Sequence, residues 1–180
     1  MEENQPENNQ WRPVRIEKIL VPTDLRLESM VAFQHAVTLA KLFDSELTLL
    51  HVFEEPYSFD NEIGLGAVEL LGVKRSNAER ELALIEKHLR AQHPKCRSCF
   101  RVGTPFEQIV REAENIGANL IVMSSHSYSW LDRILHGSDA EGVLRHAPCP
   151  VLIAKDPIRT RVSNAGHPGT DLTGVSHHAP

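Results

Sequence analysis

Apolar positions fall into two alternating rhythms along the middle of this chain. Ile16 to Val21 is a short apolar run that meets Pro22, a residue with no ladder hydrogen bond to donate. From Leu27 to Phe43, the positions Met30, Phe33, Ala36, Val37, Ala40 and Phe43 recur at the spacing of an amphipathic helix. Leu47 to Phe53 (LTLLHVF) is almost continuously apolar, as a strand covered on both faces should be. Residues 54–75 carry no clear period. Ser76 and Glu79 then stand at capping-box spacing, and Ala78, Leu82, Ile85 and Leu89 predict a helix to about Gln92.

The same rhythm continues downstream. Lys95 to Val102 predicts a strand ended by Gly103. Thr104-Pro105-Phe106-Glu107 is a helix start, with a Thr cap, Pro at the first helical position and Glu reaching back; that helix runs to Gly117. Asn119 to Met123 (NLIVM) is a buried strand. Ser138-Asp139-Ala140-Glu141 reads as a second capping box, opening a helix that stops before Pro148. Val151 to Ala154 is the last strand.

The order is therefore β-α-β-α-β-α-β-α-β. Such alternation predicts an α/β domain: a five-stranded parallel sheet with helices on both faces, in a Rossmann-like arrangement. The strands of this class run 2-1-3-4-5 or 3-2-1-4-5. In both orders the first strand borders the switch point, where ligands bind outside the carboxyl ends of strands. Val21-Pro22-Thr23-Asp24 falls there.

Composition narrows the class. The chain has 180 residues, 41% hydrophobic and 24% charged, as expected for one globular domain. A net charge of −5 argues against a dedicated nucleic-acid partner. No apolar stretch reaches the ~20 residues that span a bilayer, so no membrane partner is expected. The opening residues are polar and acidic, unlike a secretory signal, and three cysteines are an odd set; both point to a reduced, cytoplasmic protein. Residues 1–13 and 156–180 are poor in apolar residues and are expected to be disordered tails around a domain at 14–155.

Read together, these segments resemble the universal stress protein family. KILVPTDLRLESMVAFQHAVTLA is similar to the family's opening strand, Pro-x-Asp and Ser-x-x-Ala, and LTLLHV to its second strand. Gly103-Thr-Pro105 through Ile109, and NLIVMSSHSYSWLDRILHGSDAEGVLRHAPCPVLIA, are similar to its later signatures. The resemblance implies strand order 3-2-1-4-5, a homodimer joined through Val151 to Ala154, and a regulatory ATP or AMP, with Mg²⁺, at the switch point. The residues it implies around the nucleotide are Pro22, Thr23, Asp24, the backbone of Leu47, Ser124, His126, Ser127, Gly137, Ser138 and Asp139.

The family's Gly-x2-Gly-x9-Gly-(Ser/Thr) falls on Ser124, Ser127, Gly137 and Ser138, so serine replaces the first two glycines. Serine keeps the N–H donor but costs roughly 1 kcal/mol where positive φ is required. Trp130 stands in the same loop. A second reading therefore stays open: a dimeric interaction module of this fold that holds no nucleotide. A third is a slow ATPase.

Other motifs have plainer readings. Asp24 is also placed to cap the following helix, and Ser138 to cap its own. His136 reads as a solvated loop histidine and His51 as a satisfied core histidine. His126 lacks the nucleophile and orienting partner that a catalytic base needs. His93, Cys96 and Cys99 have metal-like spacing, but positions three apart in a strand face opposite ways, so no metal is expected. There is no Gly-x4-Gly-Lys-(Ser/Thr) phosphate loop, and Gly64-Leu-Gly66 lacks the third glycine of a dinucleotide fingerprint.

Overall fold

The computed structural model describes residues 14–54, 65–124 and 138–155. Both expected tails lie outside these residues. Strands β1 (Lys18–Thr23), β2 (Glu46–Phe53), β3 (Cys96–Val102), β4 (Leu120–Ser124) and β5 (Val151–Ala154) alternate with helices α1 (Met30–Phe43), α2 (Leu65–Gln92), α3 (Pro105–Ile116) and α4 (Ser138–His146). All strand pairs are parallel, in the order β3-β2-β1-β4-β5. The switch point therefore lies between β1 and β4.

Strand alternation sorts the core into two layers. Ile19, Val21, Leu47, Leu49, Leu120 and Val122 face α1 and α2, where Phe33, Ala36, Leu82 and Leu89 meet them. Leu20, Leu50, Ile121 and Met123 face the other way, against Ile109 and Ala113 of α3 and Val143 of α4. A central strand buried on both faces explains the unbroken apolar runs of β1 and β4.

Two boundaries differ from the sequence reading. Helix α2 begins at Leu65, so Ser76 is an interior residue and not its cap. The apolar stripe is legible only from Ala78 because residues 68–70 and 72–77 are exposed and only Leu71 turns partly inward. Strand β1 runs on through Pro22 to Thr23. Proline survives in this central strand because of where its nitrogen points. Glu17 and Lys18 carbonyls accept from Glu46 on the β2 side and Asn119 on the β4 side, so even-numbered residues face β4. The β1–β2 pairing continues to Thr23 and His51, whereas β1–β4 pairing stops at Leu20 and Ile121. The next rung would need an N–H at residue 22 to reach Val122.

Two glycines set close geometry near the carboxyl end of the sheet. Gly103 closes β3 at φ +134°, where a side chain would be strained. Gly142 lets α4 lie against α3, since an added Cβ would come within 2.9 Å of the Phe106 ring.

Candidate functional site

Where β1 separates from β4, the chain makes a tight turn stabilised by its own polar groups. The Leu25 N–H donates to Thr23 Oγ1 at 3.0 Å, and the Arg26 N–H donates to Asp24 Oδ1 at 3.1 Å. These are the short-range bonds by which Thr and Asp shape turns. Leu25 is held at φ 64°, an uncommon conformation for a non-glycine residue. Ser29, itself fully buried, donates its hydroxyl to the same Asp24 Oδ1 at 2.8 Å.

Asp24 is thus held from one oxygen only. Its Oδ2 is buried and has no hydrogen-bond partner among the described residues. The Arg26 guanidinium stands 3.8 Å from it, too far for a hydrogen bond, with 60% of its own side chain exposed. Burial pushes the Asp24 carboxyl above its ordinary range, against the lowering effect of Ser29 and Arg26. A desolvated carboxylate oxygen without a donor is costly in an empty site and becomes satisfied when a ligand hydroxyl or amine reaches it.

His51 ends level with Thr23 on the neighbouring strand. Its Nδ1 lies 2.9 Å from the Thr23 carbonyl. A carbonyl only accepts, so Nδ1 carries the proton and Nε2 is the acceptor. The ring leans on Phe100 with centroids 5.6 Å apart. Burial pushes the His51 pKa below its ordinary 6.5, opposed by the Thr23 carbonyl and by the charges of Asp24 and Glu81. A depressed histidine contributes stability that is present above its unfolded pKa and lost as pH falls through the folded one. A His51→Gln variant should therefore lose less stability than the parent between pH 7 and pH 5, as read from urea midpoints at each pH.

The structure brings some of the sequence-predicted residues together. Pro22, Thr23 and Asp24 lie at the carboxyl end of β1, and Ser124 ends β4, buried. Extending the β1–β4 register puts Thr23 level with Ser124 across the switch point. Helix α4 starts at Ser138 and contains Asp139. As the helix that follows β4, it begins on the carboxyl side of the sheet. His126, Ser127 and Gly137, with Trp130 and His136, lie outside the described residues.

Leu47 is not brought to this place. It pairs with Ile19 and Cys96 near the amino end of β2, fully buried in the core. The residues of β2 at the mouth are His51 and Val52. Sequence reasoning also missed Ser29, which it took only as part of the Ser-x-x-Ala resemblance. Its signal was the five-residue step from Asp24 across a turn, which puts a hydroxyl back over the carboxylate.

The two cysteines with metal-like spacing separate as their strand period requires, and His93 lies outside β3. His93 donates Nε2–H to the Ser45 carbonyl at 2.7 Å. Cys96 packs in the α1/α2 layer and Cys99 in the α3/α4 layer. Burial pushes the Cys96 thiol up to about 11 and raises Cys99 too, away from the thiolate form that binds metals.

The family model described as universal stress protein family matches residues 15–155. Universal stress protein MJ0531 of Methanocaldococcus jannaschii is 35% identical over 145 residues, which cover 78% of this chain and 82% of that protein. The structure of universal stress protein UspA from Lactobacillus plantarum superposes with a TM-score of 0.68 at 25% identity, covering 79% of this chain and 99% of that one. A universal stress protein in complex with cAMP superposes with a TM-score of 0.60, covering 78% and 98%; at 19% identity it speaks for the fold.

Proposed function

The chain belongs to the universal stress protein family, and from that premise we propose that it binds an adenine nucleotide, ATP or AMP, as a regulatory ligand in the crevice between the carboxyl ends of β1 and β4. The observation that carries this reading is the buried Oδ2 of Asp24 at the switch point, which has no donor among the described residues. A ribose hydroxyl or the adenine amine donating to it would satisfy that oxygen. Thr23, Pro22 and Ser124 line the same crevice. The first backbone N–H groups of α4, at Ser138 and Asp139, suit the phosphates, with Mg²⁺ screening Asp139 from a triphosphate. His126, Ser127 and Gly137 belong to the connection that leads into that helix and complete the proposed contact set. The fold neighbour crystallised with cAMP is consistent with this ligand class.

The homodimer belongs to the same proposal. Strand β5 is an edge strand whose Val151, Leu152 and Ile153 are only partly buried. A second copy pairing along it would cover the bare edge.

Calorimetric titration with ATP and with AMP, each with and without Mg²⁺, tests the ligand. Saturable heat and a rise in melting temperature are expected. No heat and no thermal shift at millimolar nucleotide would leave the interaction-module reading in its place. Sedimentation at micromolar protein should give a dimer, and a monomer would overturn the β5 pairing.

A further inference from the structure

The α3 face of the sheet carries a second concave site along its β3 edge. A groove of about 510 Å³ opens beside α3, lined by Lys18, Thr48, Arg97, Asn115 and Glu112 among others. Lys18 opens β1, so ~16 Å of strand separates it from Thr23 at a rise of ~3.3 Å per residue. None of Pro22, Thr23, Asp24 and Ser124 lines the groove, so it is distinct from the crevice at Asp24.

Its cations are unevenly satisfied. Arg101 donates Nε–H and Nη2–H to Glu112 Oε2, at 3.1 and 2.7 Å, and Glu112 is buried. That pair is internally neutral. Arg97 differs. Its Nε donates to Thr48 Oγ1 at 3.0 Å, and Thr48 is only 2% exposed. The hydroxyl of a buried strand residue thus holds the guanidinium across β2, while its two terminal nitrogens have no partner among the described residues. Lys18 donates Nζ–H to the Ile116 carbonyl at 3.0 Å, the last turn of α3. Among the described residues no carboxylate lies within 4 Å of Arg97 or Lys18. Glu46, the strand partner of Lys18 and a lining residue of the same groove, forms no ion pair with either.

We propose that this groove binds a phosphate monoester, with the phosphate held by the free edge of Arg97 and by Lys18. A guanidinium fixed at Nε presents two parallel N–H groups, which suits an oxyanion edge-on. The ammonium adds donors from another direction, and the Asn115 amide stands at the rim. Donors from separate directions match a tetrahedral phosphate better than a planar carboxylate. A groove of about 510 Å³ exceeds the phosphate itself and leaves room for the organic part of the ester.

The probes are inorganic phosphate, ribose 5-phosphate, ribose and citrate, titrated into the full chain by calorimetry and by backbone amide shifts at Thr48 and Arg97. Inorganic phosphate and ribose 5-phosphate should bind saturably and ribose should not. As read at the Thr48 and Arg97 amides, Arg97→Gln should weaken both about tenfold or more, and Arg97→Lys should fall between. Arg97 is exposed, so these variants test binding without removing core packing. Three results would each overturn the proposal. One is a linear, unsaturated response. Another is citrate binding as tightly as ribose 5-phosphate. The last is sensitivity to Asp24→Asn but not to Arg97→Gln, which would put the phosphate in the nucleotide crevice. Because Asp24 and Arg97 are tested separately, failure here leaves the nucleotide reading untouched.

Discussion

Replacing Asp24 by asparagine should raise the stability of the ligand-free protein at neutral pH and weaken adenine-nucleotide binding by about tenfold or more. The two effects share one cause. Burial raises the Asp24 pKa, so the folded state prefers the protonated carboxyl. A group raised in this way contributes stability that is complete below its unfolded pKa and is lost as pH climbs through the folded one. At pH 7 the parent therefore carries a desolvated charge that the variant lacks. Asparagine keeps an oxygen for the Arg26 N–H and the Ser29 hydroxyl, so the turn survives. Ribose or adenine donors, in contrast, lose a charged acceptor. Thermal melts from pH 3 to pH 8 check the first half: the variant's advantage should vanish on the acid side. Titration calorimetry checks the second. A variant that is less stable at pH 7 and binds nucleotide normally would show that Asp24 serves the turn alone. Stability given up at one residue for the sake of a ligand is a recurring property of binding sites.

The second large effect belongs to the sheet. Ile121→Ala should cost about 2–5 kcal/mol, against a total stability on the order of 5–15 kcal/mol for a domain. Ile121 is fully buried beneath α3 and α4, level with Leu20 on one side and Val151 on the other. It has neighbours on every side that cannot all move inward together. Leu42→Ala is the matched control: that side chain is 73% exposed on α1 and its loss should stay within about 0.5 kcal/mol. Urea denaturation of both variants separates them, and a similar midpoint for the two would contradict the layer assignment.

The architecture was legible because burial on both faces writes unbroken apolar runs, and these occur at each of β1, β2 and β4. Strand order needed more than periodicity, which left two arrangements open; the family resemblance chose the observed one. Residues 68–77 of α2 were illegible because all but Leu71 are exposed and carry no apolar stripe. At the site, Asp24 was legible from topology alone, since the first strand of such a sheet must end at the switch point. Leu47 went astray because the sequence shows a strand without its register: only pairing with Ile19 reveals that His51, four residues on, reaches the mouth. The Asp24 oxygen without a donor among the described residues could not be read from the chain, because it depends on how the turn folds Ser29 back onto the carboxylate and buries it.

Pro22 has a bearing on how the proposed nucleotide site is prepared. The cleft between β1 and β4 begins where an amide hydrogen is missing from the covalent chain. No side-chain rearrangement creates it, and no ligand is required to pry it apart. With alanine at position 22, one more rung could zip toward Val122 and draw the two strand ends together. With proline, the gap is built in before any guest arrives, so admission of a nucleotide carries little of the ordering cost that a site assembled on demand would incur.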